Sequence, residues 1–423
     1  MISELLIWAA IAIIVMAGCY NTALFALSRR RIRRRRGPRQ ERLYVFLLAC
    51  LNEEKVLAES LARITALPAP GRFMALVIDD ASDDGTAAVA RAAAEAAAPG
   101  RVQLLQRHLP DARRGKGAAL NAGIAHLRSS GLLDGYDPAD VIVCVVDADG
   151  RLDQHVVQSV DPFFDNPRTG GTQICVRMYN RDKGLLARLQ DMEFVIYGDI
   201  FQCARRSIGS VGMGGNGQFM RLAALNSLAG PDGTAGPWSD SLTEDLDLGV
   251  RLIAAGWTNQ HCTAAAVSQQ AVLDVRRLVR QRSRWFQGHL QSAGLVPLIL
   301  RDIPARAAVD LLYHLSSPVL ILLTSLLPLS FLVAVGGTVV GSVQAGRPLI
   351  SPMWVIGPYV LSFTAAYAYG FIYSRRERGL GLVRSVLLSH VFIFYGYIWF
   401  AAGWWGLWRM LTGKQTWLKT ART

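Results

Sequence analysis

The sequence predicts an α/β domain with a mostly parallel sheet and helices on both faces, placed between hydrophobic segments at the two ends of the chain. Short β-type runs alternate with helical stretches between residues 43 and 270, which is the pattern of a covered parallel sheet. Long apolar runs lie near both ends, and 51% of the 423 residues are hydrophobic, a high share for a soluble protein. Acidic clusters follow two predicted strands, where open α/β sheets bind their ligands.

The first apolar run covers residues 5–27, and a helix that crosses a bilayer needs about 20 such residues. "SRRRIRRRRGPR" follows it and holds eight of the arginines behind the net charge of +13. A cleavable signal peptide has its basic residues in front, so this order predicts an uncleaved anchor. The positive-inside rule places the arginines in the cytoplasm, where they would contact anionic lipid headgroups. The charge therefore indicates membrane lipids as partners, and no nucleic acid.

The central region contains the β-type runs "LYVFLLA", "FMALVI", "VQLLQ" and "VIVCVV", which we interpret as buried strands. Its clearest helical stretches are "TAAVARAAAEAAA" and "GAALNAGIAHL". Six cysteines are scattered without a C-x-x-C pair, so we expect neither a disulfide framework nor a zinc site. Residues 43–270 thus form one large domain, cytoplasmic by its position after the arginines.

Three apolar runs near the C-terminus, at residues 315–343, 352–373 and 385–408, predict three further spans. The preceding stretch "VRQRSRWFQGHLQ" is basic and aromatic, which is typical of a helix at the membrane surface. Four spans in total place the C-terminus outside, whereas the basic tail "GKQTWLKTART" favours the inside. Either the last span is partly interfacial or re-entrant, or the tail is external.

Two strand ends are unusually acidic. Asp79 and Asp80 follow "FMALVI", and Asp147 and Asp149 follow "VIVCVV". Helix capping accounts for acids in such turns, but it explains the D-x-D pair poorly, because two neighbouring carboxylates repel each other. Mg²⁺ or Mn²⁺ removes that repulsion and takes oxygen ligands from one or two carboxylates. The pair therefore predicts a divalent cation.

A third acidic cluster, "LTEDLDLGVRL", contains Glu244 and Asp245. Helix initiation with Thr243 as N-cap explains its local structure. A carboxylate fixed at a helix start is also well placed as a general base. Upstream, the glycines of "VGMGGNGQFMR", including Gly215, permit close approach of the backbone to a ligand.

Six motifs now stand in order: "VIDDASDDGT", "RGKGAALNAG", "VVDADG", "GGNGQFMR", "LTEDLDLGVRL" and "QRSRWFQG". In this order and spacing the chain resembles the membrane-embedded family 2 glycosyltransferases over roughly residues 44–300. These include cellulose, chitin, hyaluronan and poly-N-acetylglucosamine synthases; in size the chain is similar to rhizobial chitooligosaccharide synthases. The resemblance implies a GT-A-type nucleotide-sugar-binding domain inserted between N- and C-terminal transmembrane helices.

The resemblance assigns the nucleotide-sugar site to Asp79, Asp80, Lys116, Asp147 and Arg284. The first two carboxylates would hold the base and ribose of the nucleotide. Asp147 would face the diphosphate, which Arg284 can meet with a bidentate guanidinium.

For the metal, the resemblance indicates Asp149 and Asp147, with Asp149 favoured as the ligand of Mg²⁺ or Mn²⁺. Asp245 would be the catalytic base, with Glu244 beside it in the catalytic motif. A single displacement that inverts the anomeric carbon needs one base and one metal.

For the acceptor, the resemblance indicates Gln281, Trp285 and Gly215, with the tryptophan as a flat face for sugar stacking. The neighbouring arginines are expected to contact lipid headgroups on an interfacial helix. These are Arg276, Arg277, Arg280 and Arg282.

The chain then divides into six predicted segments. They are a transmembrane anchor (1–28), a basic juxtamembrane segment (29–42), a GT-A-like catalytic domain (43–270), interfacial helices with Q-x-x-R-W (271–314), a region of about three spans (315–411) and a basic tail (412–423). We expect a multi-pass protein of the cell (inner) membrane with a cytoplasmic catalytic domain. The pattern leaves room for a homo-oligomer or an accessory subunit.

The leading functional hypothesis is an inverting synthase that polymerises a nucleotide-activated hexose or N-acetylhexosamine, UDP-linked, into a β-linked polysaccharide. A second hypothesis keeps the chemistry but adds a single sugar to a membrane lipid, as in glycolipid-forming transferases of the ceramide glucosyltransferase type. A third is a sensor that binds nucleotide sugar without turnover; the full set of carboxylates argues against it. The expected partners are a nucleotide-sugar donor and a growing glycan or lipid acceptor.

Overall fold

The structure is a computed structural model. It describes residues 2–30, 41–68, 73–229, 236–326, 336–337, 339–346, 352–377 and 379–414. Most of the arginine run, at residues 31–39, lies outside the described residues, as does the basic tail from residue 415 onward. The predicted span at residues 315–343 is described only in part, because residues 327–335 fall outside as well.

An eight-stranded sheet organises the central region. Strands β1 to β8 are Leu43–Cys50, Phe73–Asp79, Val102–Gln106, Val141–Val145, Arg151–Leu152, Thr169–Met178, Gln218–Arg221 and Thr258–Gln269. Their order across the sheet is β3-β2-β1-β4-β7-β6-β8-β5. Four of the seven pairings between described strands are parallel, and β7 is antiparallel to both of its neighbours. The predicted α/β GT-A-type fold is confirmed, with a sheet that is parallel in its first half and mixed in its second.

Helices surround this sheet and form both ends of the chain. In chain order α1 to α14 are Ile2–Ser28, Leu57–Thr65, Thr86–Ala96, Lys116–Ser129, Val156–Val160, Leu185–Ile196, Cys203–Ile208, Leu222–Asn226, Glu244–Ala254, Val275–Gln291, Val296–Asp302, Ala305–Thr324, Pro352–Arg376 and Leu382–Leu411. A π-helical turn, Tyr197–Gln202, joins α6 to α7. Helices α3 and α4 occupy the two stretches in which the sequence predicted helices.

Strand β1 shows why the four parallel strands read as continuous apolar runs. Successive side chains of a strand point to opposite faces of the sheet. Tyr44, Phe46 and Leu48 therefore pack with α2 and α3 on one face, whereas Val45 and Leu47 pack with α4 on the other. Because helices cover both faces, both sets are buried, and the strand needs no polar alternation.

Two helices of the described chain, α12 and α14, are long and apolar enough to cross a bilayer by length and composition. Helices α1 and α13 coincide with the predicted spans at residues 5–27 and 352–373. Helix α12 begins at Ala305 and continues through the boundary predicted between residues 314 and 315. The number of spans, and the domain boundaries, stay predictions.

Helix α10 lies between α14 and the loop that precedes α9, and glycines allow both contacts. A methyl group built on Gly288 of α10 would lie 2.9 Å from the backbone nitrogen of Thr243. One built on Gly406 of α14 would lie 2.8 Å from the carbonyl oxygen of Ser283. Real Cβ atoms do not approach backbone this closely, so both positions require glycine. The long apolar helix α14 thus contacts α10, and α10 contacts the loop that leads into the T-E-D motif.

Candidate active site

A cavity of about 660 Å³ lies at the carboxyl end of β4 and extends to α10, α12 and α14. This volume is within the range of small-molecule sites, roughly 300–1,000 Å³. Eight of the residues predicted for the site line it: Lys116, Asp147, Gly215, Glu244, Asp245, Gln281, Arg284 and Trp285. Among the described residues, Asp79, Asp80 and Asp149 do not line it. The structure thus brings together residues that are far apart in the sequence, and places the cavity where the fold class predicts it.

Lys116, the first residue of α4, is held between two groups of the cavity wall. Its ammonium donates to Asp147 Oδ1 at 2.5 Å and to the carbonyl oxygen of Gly215 at 2.6 Å. Burial lowers the pKa of Lys116, but the charges of Asp147, Glu244 and Asp245 outweigh it, so the pKa lies above its usual value. The cavity therefore contains a permanent cation beside its carboxylates.

Glu244 and Asp245 occupy the first turn of α9, and Thr243 occupies its N-cap position, as predicted. The Thr243 side chain makes no capping bond; its hydroxyl lies 3.3 Å from that of Ser292 at the end of α10. Asp245 Oδ1 instead accepts a hydrogen bond from the backbone of Leu246 at 2.8 Å. The threonine joins two helices at the site, and the aspartate is oriented by its own helix start.

The two carboxyl groups of the T-E-D motif lie in the cavity wall, where Glu244 is buried and Asp245 is half-buried. Burial, followed by the charge of Asp245, raises the pKa of Glu244 to about 7. Burial also raises the pKa of Asp245, while its bond from Leu246 and the charge of Lys116 oppose the rise. Neighbouring carboxyls of this kind titrate as a pair. A base whose pKa is raised toward neutral pH is suited to take a proton from a hydroxyl.

The glycine-rich loop before β7 packs directly on these groups. A methyl group on Gly215 would lie 3.3 Å from Asp245 Oδ2 and 3.4 Å from the ammonium of Lys116. The adjacent Asn216, which sequence reasoning did not single out, accepts a hydrogen bond from the backbone of Asp147 at 3.1 Å. The loop therefore fixes the carboxylates of two motifs relative to each other.

The D-x-D motif has one carboxylate at the cavity and one in the interior. The Asp147 side chain is 28% exposed, whereas Asp149 is buried, with Oδ2 accepting from the backbone of Gln270 at 2.9 Å. The described part of the chain contains no group of three or more His, Cys, Asp or Glu residues that would hold a metal without a substrate. Mg²⁺ and Mn²⁺ are commonly held by one or two carboxylates together with substrate phosphates. Asp147 fits this donor set, and the assignments of Asp147 and Asp149 as metal ligands both stay predictions.

The carboxylates at the end of β2 are bonded within the protein. Asp80 is buried, forms an ion pair with Arg107, and accepts from the backbone of Arg113 at 3.0 Å. Burial raises the pKa of Asp80, and the charge of Arg107 opposes the rise. Asp79 Oδ1 accepts from the backbone of Ser82 at 3.1 Å. Strand β1 separates β2 from β4, so these groups lie about two strand spacings, roughly 10 Å, from the D-x-D end.

The Q-x-x-R-W motif lies on α10. Gln281, Arg284 and Trp285 have the i, i+3, i+4 spacing of one helix face and all line the cavity. The ring of Trp285 meets that of Phe194 edge-on, with centroids 6.2 Å apart. The prediction that Arg282 contacts lipid headgroups is wrong: its side chain is 1% exposed and pairs with Glu193 at 2.7 Å. Arg276, Arg277 and Arg280 are exposed.

Sequence reasoning missed several residues that line the cavity, among them Glu53, Tyr197 and His289. Glu53 follows β1, and the acidic "NEE" after that strand was a usable signal. Tyr197 starts the π-helical turn, a feature frequent at functional sites but invisible in composition. His289 lies one helical turn beyond Trp285; burial lowers its pKa to about 4, so it is neutral at neutral pH.

The sequence profile described as "Glycosyltransferase like family 2" matches residues 40–288, more than half of the chain. The protein belongs to glycosyltransferase family 2. All six motifs of the predicted resemblance lie within the matched residues. The predicted enzyme class is confirmed.

Two curated relatives of this glycosyltransferase differ in the activity that their names state. The chain is 30% identical over 249 residues to beta-monoglucosyldiacylglycerol synthase of Trichormus variabilis, an alignment that covers 58% of this chain and 48% of that protein. It is 26% identical over 242 residues to probable glucomannan 4-beta-mannosyltransferase 4 of Oryza sativa subsp. japonica, covering 56% and 41%. The matched region thus spans about half the length of these curated relatives.

Among solved structures, the glycosyltransferase is similar to mannosyltransferase PcManGT from Pyrobaculum calidifontis, determined in complex with GDP-Man and Mn²⁺. The TM-score is 0.64 at 16% identity, covering 96% of this chain and 98% of that one. At this identity the likeness concerns the fold, and it extends beyond the sheet to the flanking helices.

Proposed function

We propose that this family 2 glycosyltransferase transfers a single hexose from a nucleotide sugar to a hydroxyl group of a membrane lipid. The cavity carries the proposal: Lys116 and carboxylates of the D-x-D and T-E-D motifs lie at one end, and side chains of α12 and α14 lie at the other. An acceptor with a polar hydroxyl and an apolar body matches both ends. The sequence alone ranked polymer synthesis first; the cavity and the relatives favour the lipid acceptor.

The donor is proposed to bind at the end of the cavity formed by the sheet. Lys116 and Arg284 supply positive charge for the diphosphate, the arginine as a planar donor. Asp79 and Asp80, two strands away, would hold the nucleoside. A bound Mg²⁺ or Mn²⁺, with Asp147 as the carboxylate that faces the cavity, would neutralise the charge of the departing diphosphate.

Asp245 is proposed as the base. The oxygen of the acceptor hydroxyl bonds to the anomeric carbon as its proton passes to Asp245, and the bond from that carbon to the diphosphate oxygen breaks. The electron pair leaves with the nucleoside diphosphate, and attack opposite the leaving group inverts the anomeric configuration. The raised pKa of the Glu244 and Asp245 pair suits this role, because a base needs affinity for the proton that it removes.

The acceptor end of the cavity consists of residues from helices with the length and composition of membrane spans. Pro318 and Ile321 come from α12, and Trp399 and Phe400 from α14. We propose that α12 and α14 lie in the cell membrane, with the catalytic domain on the cytoplasmic side, so that a lipid enters between the helices. The similarity to beta-monoglucosyldiacylglycerol synthases makes diacylglycerol the first acceptor to test.

The test uses the purified full chain in vesicles of phosphatidylglycerol with and without diacylglycerol, supplied with Mn²⁺ or Mg²⁺. Radiolabelled UDP-glucose, UDP-N-acetylglucosamine and GDP-mannose are compared as donors. The expected result is one organic-soluble labelled product, formed only with diacylglycerol and in a one-to-one ratio to nucleoside diphosphate. Label in high-molecular-weight material would overturn the single-sugar proposal.

Polymer synthesis is the second candidate, because Q-x-x-R-W is present on α10 and glucomannan mannosyltransferases are among the relatives. In that case Trp285 would stack on the terminal sugar of a growing chain. The size of the labelled product separates the two candidates, since both require the same donor and the same base.

A further inference from the structure

One carboxylate outside the predicted motifs joins three helices behind the acceptor end of the cavity. Glu193 of α6 uses both of its oxygens: Oε2 accepts from the guanidinium of Arg282 on α10 at 2.7 Å and from the hydroxyl of Tyr395 on α14 at 2.7 Å. Oε1 accepts from the indole nitrogen of Trp399 on α14 at 2.9 Å. The catalytic domain, the Q-x-x-R-W helix and an apolar C-terminal helix thus meet at a single side chain.

Arg282 connects this carboxylate to two tryptophans. The carbon of its guanidinium lies 4.1 Å from the ring centroid of Trp285 and 5.2 Å from that of Trp399. Both distances are within the range of cation–π contacts. Arg282 therefore lies over both rings, and Glu193 determines where Arg282 lies.

The two tryptophans line the cavity, whereas Glu193 and Arg282 are not among its lining residues. Any effect of Glu193 on the acceptor therefore passes through Arg282 and the rings. A buried arginine that loses its carboxylate is an uncompensated charge, and Arg282, at 1% exposure, would have to move toward water. Both rings would then lose the contact that orients them.

We propose that Glu193 is a positioning residue for the acceptor: through Arg282 it holds Trp285 and Trp399 as two oriented aromatic faces of the acceptor site. Its direct hydrogen bond from the Trp399 indole nitrogen, 2.9 Å long, holds that ring in place. The inference rests on the proposed function only in placing the acceptor at the tryptophan end of the cavity. It holds for a lipid headgroup and for a glycan end alike.

The experiment compares Glu193→Gln with wild type in vesicles, using the acceptor that wild type glycosylates. Three quantities are measured: the KM for acceptor, the KM for donor, and the slow release of nucleoside diphosphate when water replaces the acceptor. Positioning predicts that the acceptor KM rises about tenfold, which lies between the effect of losing an exposed and of losing a desolvated cation–π contact. The donor KM and the release with water should stay within about twofold, because Lys116, Asp147 and Asp245 are untouched.

Glu377→Gln is the matched control. Glu377 follows α13 and contacts two arginines that lie before α6: it accepts a hydrogen bond from Arg181 at 3.0 Å and forms an ion pair with Arg177. None of these three residues lines the cavity. This variant should leave the acceptor KM unchanged. Tyr395→Phe is a milder second variant that removes one donor to Glu193 and no charge; it should raise the acceptor KM by a smaller factor and decides the question should Glu193→Gln not fold.

Two results would overturn the proposal. One is an unchanged acceptor KM in a folded Glu193 variant or, failing that, in Tyr395→Phe. The other is a parallel change in acceptor KM, donor KM and release with water, which would make Glu193 a general structural support. A polymeric product in wild type would overturn the single-sugar function without touching this inference, because the acceptor KM is then measured with the glycan.

Discussion

Two acidic strand ends of similar sequence have different surroundings in this protein. After β2, Asp80 is bonded to Arg107 and to the backbone of Arg113. After β4, Asp147 lines the cavity and shares Lys116 with a backbone carbonyl. An acidic strand end thus points to the cavity edge of the sheet, but the donors around each carboxylate decide whether it faces the cavity or supports its wall.

Asp245→Asn should have the largest effect on turnover, because it removes the proposed base while keeping the size and most hydrogen bonds of the side chain. Loss of a general base costs about 10²- to 10⁴-fold, so we expect turnover to fall by about three orders of magnitude. Nucleotide-sugar affinity should persist, measured by calorimetric titration alongside nucleoside diphosphate release. Asp247→Asn is the control: Asp247 pairs with Arg251 at 2.6 Å on the same helix and should retain turnover. Equal activity in both variants would exclude Asp245 as the base.

Asp147→Asn should lower turnover by about 100-fold, since it removes the cavity carboxylate proposed to face the cation and the ion-pair partner of Lys116. The Mn²⁺ concentration that restores half of the activity to chelator-treated enzyme should rise. Titration of Mn²⁺ into the metal-free protein measures this directly. An unaltered metal requirement would contradict the proposed role of Asp147. The ends of β2 and β4 would then not differ in metal binding.

Activity and stability should respond to pH with opposite signs near neutrality. The native pKa of Glu244 is about 7, above its ordinary value of 4.5, so the folded protein holds this proton more tightly than the unfolded chain. Stability from this group is therefore complete below about pH 4.5 and is lost as pH rises to 7. Turnover should rise over the same upper range, because the carboxyl pair must lose its proton before Asp245 can accept another. Thermal unfolding and rate profiles between pH 5 and 8 test this, and parallel trends would refute it.

Asp80→Asn should change the donor KM more than turnover. The substitution breaks a buried pair with Arg107, and such losses destabilise a protein by about 3 kcal/mol. We expect a lower midpoint of unfolding and a donor KM raised about tenfold, with turnover at saturating donor near that of wild type. A shift in the metal requirement like that of Asp147→Asn would show that the two strand ends are not distinct.

Asp83→Ala should have the smallest effect. Its partner Arg113 is 36% exposed and Asp83 is 70% exposed, and surface pairs of this kind contribute about 0–1 kcal/mol. Unfolding midpoint and kinetic constants should match wild type within error. A marked loss of donor affinity would place Asp83, rather than Asp80, at the nucleoside.

Patterns of residue type predicted much of this arrangement. The strands were recognisable because helices cover both faces of the sheet and leave apolar runs such as that of β1. The D-x-D carboxylates were recognisable because capping explains two neighbouring acids at a strand end poorly. The T-E-D carboxylates were recognisable through their place in the order of the six motifs, since helix initiation alone explains acids in a first turn. The mixed half of the sheet was not predicted, since β7 has only four residues, Gln218–Arg221, and no periodicity to read.

The partners of charged residues were the least predictable part. Arg282 stands among arginines that are exposed, and nothing in "RRLVRQRSRW" separates it from them; its burial follows from Glu193, 89 positions away. Asp80 likewise receives its arginines from a loop beyond β3. Local composition records charge, whereas pairing depends on which elements the fold brings together.

The glycine contacts on the two sides of α10 have a consequence for the extent of reaction. Gly288 lets this helix pack directly against the loop before α9, and Gly406 lets it pack directly against α14, so these two close contacts set the distance between the T-E-D motif and the apolar helix. In a lipid-glycosylating enzyme, a hydroxyl next to the acyl chains would reach the T-E-D motif at that distance. Once that hydroxyl carried a sugar, the hydroxyls of the sugar would lie one sugar unit farther from the bilayer, beyond the reach of the proposed base Asp245. Under the proposed function, termination after one addition would follow from the spacing of α9, α10 and α14, with no separate device to stop the chain.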